Sequence, residues 1–590
     1  MLARMLFRMP ARTGTAHVVT TTRKYKDRVY HTHLLRRSYR DGDTVKNETL
    51  GNLSHLPDSL IEIIRRSLQG ETFVPLSQAF EITRSRPHGH VQAVSAAMQR
   101  LGFASLIASQ PSRQRDLVLA MVAARIVQPH TKLATTRWWH HTTLAEDFGV
   151  AQAGEDDLYA AMDWLLARQD RVQKKLASRH LHEGGQVLYD LSSSYFEGSS
   201  CPLAKRGYSR DGKPGTLQVN YGLVTDARGC PVAVSVHEGN TADSTTFMPA
   251  VHKVRQDFGI EHMVMVGDRG MVSQKAIDEM RQTDGVGWIT ALKSSSIRSL
   301  VEQGQLQMGL FDERNLFELS SPEYPGERLV ACRNEALARL RAHKREDLLA
   351  ATERCLDKVK ARVDAGKLKP QDAIGVQVGK VINRYKVAKH FELHIADAAL
   401  SWSRKSDSIA SEAALDGLYI IRTSVPREQM DAPQCVRNYK ALANVERAFR
   451  SIKTIDLKVR PIHHRLAERV RAHIFLCMLA YYVEWHMREA WREAWRELTF
   501  ADTEQQAKAT RDAVAPATRS VAAQAKAASQ TLEDGTPVNS FATLMAELAT
   551  IVRNTCRTPH AAPDAPTFEI TTTATPSQLR ALALVQSIHA

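Results

Sequence analysis

Between Val187 and Lys293, apolar and polar residues alternate in runs whose order leaves few ways to fold. VLYDLSSSYFEG (187–198) is apolar and then turns polar, the pattern of a buried strand. LQVNYGLVTD and CPVAVSVHEG form two alternating runs joined by Ala227-Arg228-Gly229, a hairpin signature. DSTTFMPAVHKVRQDFG then predicts a helix ending at Gly259, and HMVMVGDRG a short strand. SQKAIDEMRQ predicts a helix capped by Ser273, and GVGWITALK a further strand. Strands joined by short turns pair antiparallel, whereas strands joined through helices need crossovers and pair parallel. The order is therefore β-β-β-α-β-α-β.

That order is the one found in RNase H-like cores, an α/β class in which the first and fourth strands are neighbours. Asp190 stands where the first strand passes from VLY to SSS, and Asp268 directly follows the apolar MVMV of the fourth. Carboxylates at the ends of adjacent strands can share cations. Two Mg²⁺ ions roughly 3.5–4 Å apart can activate a nucleophile and stabilise a leaving oxygen, and such hard ions prefer oxygen ligands. Without metal, clustered carboxylates repel and one must take up a proton. A single aspartate at a strand end is ordinarily a turn or cap residue. The pair, on the two strands that should touch, is what points to a site.

A third carboxylate is expected from a helix. In NYKALANVERAFRSIKTIDLKVRP, Glu446 lies seven residues after Tyr439 and seven before Lys453, and Arg450 follows it by four. Seven residues is nearly two helical turns, so one face carries a carboxylate flanked by an aromatic hydroxyl and two cations. Such a face can hold metal at its centre and phosphates on either side. The same spacing also suits a solvated face with Glu446 and Arg450 as an i,i+4 pair.

Around this segment the 590 residues divide by pattern, as a chain too long for one core should. Residues 1–56 read as a basic β-rich module with a hairpin turn at Asp41-Gly42-Asp43. Residues 57–185 read as helical, with a helix that starts at a Ser112 cap and stops before Pro129, and a single helix through DDLYAAMDWLLARQDRVQKKLASRHL. Residues 186–293 hold the first part of the α/β core and 431–497 its helical second part. A β-rich insertion, 294–430, separates them and carries a long charged helix from about Asn334 to Asp364. Residues 498–590 read as a flexible connector and a tail with one short helix, FATLMAELATIVRN. IFLCMLAYYV falls short of the ~18 apolar residues that span a bilayer and reads as buried helix. The basic opening MLARMLFRMPAR reads as a loosely ordered start rather than a targeting peptide.

Charge narrows the partners. Lys and Arg number 79 against 64 Asp and Glu, a net +15, and such an excess suits a polyanion because each neutralised phosphate releases counterions. Arg23, Lys24, Lys26, Arg28, Arg36, Arg37 and Arg40 stand among Tyr25, Tyr30 and Tyr39, which fits a DNA backbone or a solvated basic strand pair. The seven cysteines form no C-x-x-C pair and suit a reducing cytoplasm, and the histidine pairs suggest zinc only faintly because no Cys or carboxylate accompanies them at ligand spacing. Glu197, Asp211, Asp226, Glu238 and Asp243 read mostly as solvated loop acids, with Glu238 and Asp243 able to approach the metals. Trp138 and Trp139 read as core. No G-x-x-x-x-G-K-[ST] loop is present, so ATP use is not expected.

LYDLSSSYFEG, VGDRGMVS and YKALANVERAFRSIK, the last followed by RPIHHRLAERVRAHIFLCMLAYYVEW, resemble the acidic motifs of bacterial insertion-sequence DDE transposases, whose third motif reads Y-x2-R-x3-E-x6-K. The β-rich insertion resembles that family too, and RKYKDRVYHTHLLRRSYRDGDTVKNETLGNLSHLP resembles the start of one subgroup. The resemblance implies that Asp190, Asp268 and Glu446 bind two Mg²⁺ ions, which Mn²⁺ can replace, and carry catalysis. It implies that Tyr439 and Lys453 hold DNA near the cleaved end, with Arg269 beside them. The family's Arg falls at Leu442 here, so Arg447 or Arg450 is expected to supply that phosphate contact. The expected activity is binding of terminal inverted repeats in double-stranded DNA through the N-terminal region, cleavage of the ends and joining of the 3′-hydroxyl to target DNA. A homo-oligomer, at least a dimer, is expected, acting on the bacterial nucleoid in the cytoplasm with no membrane association. A non-catalytic DNA-binding descendant and a nuclease without strand transfer remain as alternatives.

Overall fold

A computed structural model describes residues 14–493 except 27, 74–78, 307–310 and 313–314, and 537–589 except 560, 561 and 563, with 524, 525, 528, 529, 531 and 535 between. The opening MLARMLFRMPAR and most of the 501–535 connector lie outside these residues. The chain forms two compact units, Met1–Ser85 with Asn554–Ile570, and Arg86–Arg553 with Thr571–Ala590.

In the first unit β1 (Thr15–Tyr25), β2 (Arg28–Asp41) and β3 (Thr44–Asn52) form an antiparallel meander. The β2–β3 turn sits at Gly42, whose φ of +64° is one that L side chains rarely adopt. Helix Asp58–Leu68 follows. A strand, β4 (Glu81–Pro87), corrects the all-helical reading of 57–185. It pairs with Val552–Arg557, which pairs in turn with Phe568–Thr571. A partner more than 450 residues away leaves no trace in local periodicity.

The second unit is built on a mixed sheet. Its strands are β5 (Gly185–Tyr195), β6 (Lys205–Arg206), β7 (Leu217–Asp226), β8 (Pro231–Glu238), β9 (Met263–Val266), β10 (Val286–Ala291), β11 (Leu316–Leu319) and β12 (Arg328–Arg333). After a separate hairpin of β13 (Phe391–Ala396) and β14 (Ala399–Arg404), β15 (Leu418–Thr423) returns to the sheet. The order is β11-β12-β15-β10-β9-β5-β7-β6, with β8 also on β7. β5, β7 and β8 pair antiparallel, while β5, β9 and β10 pair parallel. The middle strands are buried on both faces, and the short β9, MVMV, is apolar throughout.

Strands β15, β12 and β11 extend this sheet beyond β10, each antiparallel to its neighbour. The insertion is also richer in helix than its β-rich reading: besides Glu335–Asp364 it holds Ser294–Glu302 and Gln371–Ile382. Asn334 caps the long helix by accepting the Leu337 N–H at 2.9 Å. Leu349, Leu356, Ile374 and Phe391 close a small core between that helix, Gln371–Ile382 and β13.

The single helix expected after Glu155 is two, Glu155–Leu166 and Gln169–His180. Arg168 leaves helical geometry at the break, donates to the Trp164 carbonyl at 3.0 Å and lays its guanidinium over the Trp164 ring at 3.8 Å. Helix Ala467–Glu493 runs through the core with residues 474–483 buried. Among the described residues no helix is long and apolar enough to cross a membrane. The tail holds more than helix Phe541–Ala549. A further helix, Pro576–Gln586, follows, and Trp491 donates to the Ala581 carbonyl at 3.0 Å.

Candidate active site

The parallel register of β5 and β9 pairs Val187 with Met265 and Leu188 with Val266. Asp190 and Asp268 each lie two residues further on, so both carboxylates stand at the same level just beyond the last β5–β9 pair. The Tyr439 hydroxyl donates to Asp268 Oδ1 at 3.2 Å. Glu446 comes from helix Leu442–Arg450, whose Val445, Ala448 and Phe449 are buried on its inner side. Phe449 meets Tyr221 edge-on at 5.7 Å, which fixes the helix over the strands. One cavity of about 680 Å³ is lined by Asp190, Asp268, Glu446, Tyr439, Arg450 and Lys453 together.

These residues do not share one uninterrupted helical face. Helix Ala432–Lys440 ends before Leu442–Arg450 begins, and Ser451–Ile455 is a π turn. A π turn inserts a residue into the 3.6-residue repeat and rotates the residues beyond it. Lys453 is reached through that turn and is buried, at 8% exposure.

Burial is the first cause of the protonation chemistry. Asp190 is pushed up to about 7, by desolvation first, then against the pull of the Leu191 N–H at 2.8 Å and of Arg210, with Asp268 and Glu446 adding repulsion. Repulsion between carboxylates, the cause expected from the sequence, is thus the smaller one. The Tyr439 phenol is raised by burial and by Asp268. The Lys453 ammonium is lowered by burial while it donates to Asp211 Oδ1 at 2.6 Å and to Ser192 Oγ at 3.1 Å.

Residues 186–483, which carry all three carboxylates, match the family model of the transposase DDE domain. The chain belongs to the DDE transposases. Residues 18–74 of this transposase match the N-terminal domain of IS1634 family transposases, which marks it as an insertion-sequence member. Its first unit contains that matched segment up to Phe73 among the described residues. A solved piggyBac transposase synaptic complex with hairpin DNA is 9% identical, covering 78% of this chain and 77% of that one, at a TM-score of 0.33. No curated protein matches the chain.

The transposase corrects the reading of its loop acids. The Asp211 side chain has 0% exposure, accepts the Tyr195 N–H at 3.0 Å, and is paired to Arg460 as well as Lys453. Asp226 is buried too, accepting the N–H groups of Arg228 and Cys230 across its hairpin. Asp243 lines the cavity but is held by Arg210 at 2.6 Å, and Glu238 and Glu197 are exposed outside it. Of the expected cations, Arg450 lines the cavity, whereas Arg447 and Arg269 do not. Arg447 donates to Asn444 at 3.3 Å instead. Lys440, Arg210 and Arg460 line it and were missed, since the loop that carries Arg210 back over β5 is a tertiary feature. Leu442 lines it as well.

A second group was invisible to sequence spacing. His180, Cys230 and His486 bring one donor atom each within 4.8 Å of one another, which among the described residues no other such trio does. His180 is already bonded to the Tyr482 hydroxyl at 3.1 Å, and Arg179, Arg228 and Glu489 line the same hollow.

Proposed function

We propose that this transposase binds the terminal inverted repeats of its element as double-stranded DNA, cleaves the ends by hydrolysis and joins the 3′-hydroxyl to target DNA. Asp190, Asp268 and Glu446 are its catalytic carboxylates. The observation that carries the reading is their convergence in one cavity whose other walls include Arg210, Lys440, Arg450, Lys453 and Arg460. The strand order β8-β7-β5-β9-β10, antiparallel and then parallel, supports an RNase H-like core. We assign that core to 186–293 and 431–497, the insertion to 294–430, the basic module to 1–56 and end binding to 57–185, with 498–590 as connector and tail.

The donor set fits divalent metal. All three groups offer hard oxygen, and desolvation pushes the half-buried Asp190 up to about 7 despite Arg210 beside it, a shift that a bound divalent cation would oppose. Asp190, Asp268 and Glu446 would hold two Mg²⁺ ions, with Mn²⁺ able to substitute. When bound, the ions lower the pKa of water and neutralise charge on the attacking and leaving oxygens. The chain's own residues do the rest. Tyr439 orients Asp268 through its hydroxyl. Arg450 and Lys440 receive the phosphate, and Lys453, fixed by Asp211 and Ser192, keeps the floor of the cavity cationic. Handling two ends implies at least two protomers, acting on nucleoid DNA.

Leu442 favours one second reading, a DNA-binding descendant that no longer cuts, because it replaces an expected cation with an apolar wall. The test is cleavage of a labelled duplex carrying the element's terminal repeat, in Mg²⁺, by wild type, Asp190→Asn and Glu446→Gln. Cleavage should fall at least about a hundredfold in each variant, about 2.7 kcal/mol of barrier. Full activity in either variant removes that residue from the site, and an inactive wild type that binds tightly favours the second reading.

A further inference from the structure

Across Arg460 from the carboxylate cavity lies a second cavity of about 670 Å³, and Arg460 lines both. Its other cations are Arg125, Lys132, Lys458, Arg465 and Arg469, and its walls carry no aspartate or glutamate. Two of these cations are deep: Arg125 is 7% exposed and Lys132 4%. Arg125 donates to the carbonyls of His130 at 3.1 Å and Leu457 at 3.4 Å, which satisfies N–H groups without neutralising charge. Lys132 makes neither hydrogen bond nor ion pair among the described residues. Burial, followed by Arg125, pulls its ammonium down to about 7. The histidines add no anion, and His464 is held neutral by burial, lowered to about 3.

Buried charge without a partner is costly, and folds rarely keep it without a use. An anion entering this cavity would meet an unpartnered ammonium at its floor and the exposed Lys458 and Arg465 at its rim. Its neighbour is equally suggestive. Arg460 and Lys453 both hold Asp211, so the two cavities are joined by one buried ion-pair bridge.

We propose that this cavity is a second nucleic-acid subsite, which takes a phosphodiester group of the DNA strand that crosses Arg460, held at its floor by Lys132 and Arg125. The proposal rests on the transposase reading for the identity of the anion as DNA. It differs from the carboxylate site in needing no metal, because fixed cations meet the phosphate directly.

The experiment uses the full chain and a fluorescein-labelled duplex of arbitrary sequence, with anisotropy read across a salt series without divalent metal. Lys132→Met and the double variant Lys458→Ala/Arg465→Ala are compared with wild type. Each lost phosphate contact lowers the slope of log affinity against log salt by about 0.9. The expected result is a drop of about one contact in Lys132→Met and up to two in the rim variant. Lys132→Met should melt no lower than wild type, since it removes uncompensated buried charge, which separates a lost contact from a lost fold. Slopes equal to wild type in both pocket variants overturn the subsite while leaving the transposase reading intact. A wild type that binds no duplex refutes that reading itself. If inorganic phosphate raises the melting temperature of wild type but not of Lys132→Met while the salt slopes stay equal, the cavity is a small-anion site and the strand subsite is wrong.

Discussion

Lys453 and Arg450 carry the same charge in the same cavity, yet burial gives them different work. Lys453 is fixed to the fully buried Asp211, so Lys453→Ala leaves a carboxylate short of a partner and should cost about 1–3 kcal/mol of stability along with activity. Arg450 is exposed, and Arg450→Ala should weaken DNA cleavage while changing stability by no more than about 0.5 kcal/mol. Thermal melts beside cleavage rates separate the two, and equal melting losses would contradict the assignment. Glu484 supplies a pH test away from the site. It is completely buried and raised to about 7 by desolvation first, and Ser451, with one hydroxyl proton, faces both Glu484 and Asp456 at 2.8 Å. A carboxyl whose folded pKa is raised favours the fold at low pH. That stability is lost as pH rises from about 4.5 to about 7, where the unfolded chain releases a proton that the fold retains. Melting Glu484→Gln and wild type across pH 4–8 should show a flatter curve for the variant. Parallel curves would show that Glu484 titrates alike in the folded and unfolded chain and would contradict the raised value.

At the scale of elements, what could be read from the sequence was whatever depended on neighbours in the chain. The hairpin at Ala227-Arg228-Gly229 and the Ser112 and Ser273 caps are local patterns and lie where they were read, whereas β5 runs on past Asp190 to Tyr195 because its polar SSS stretch still pairs with β7. Tyr439, Glu446 and Lys453 were brought together by assuming a constant helical repeat. They do share a cavity, but through a break after Lys440 and a π turn after Arg450, neither of which has a composition of its own. The sheet extension by β11, β12 and β15, and the return of the Arg210 loop over β5, depend on pairings between distant segments and could not be read. Close packing beneath the site offers a further check. A Cβ at Gly222, opposite Leu191, would stand 2.1 Å from the Tyr189 hydroxyl. Gly222→Ala should therefore force Tyr189 aside under Asp190 and cost about 1–3 kcal/mol, read as a lower melting temperature with reduced cleavage. A variant that melts with wild type would show that the strand tolerates the methyl.

For the whole molecule, the net charge of +15 gains meaning from where the cations stand. They wall the carboxylate cavity, fill the cavity across Arg460, and recur along β1 and β2 in the segment matched by the IS1634 family N-terminal domain. Composition alone allowed any polyanion; it is the carboxylate trio set among those cations that points to DNA as substrate. The central claim is that these carboxylates both cut and join. The most direct measurement incubates wild type and Asp268→Asn with a labelled duplex bearing the element's terminal repeat and an unlabelled target, with Mg²⁺ or EDTA. The account predicts cleaved ends and larger joined products from wild type in Mg²⁺, with both absent in EDTA and in Asp268→Asn. Cleavage without joining, or products that survive in Asp268→Asn, would contradict it.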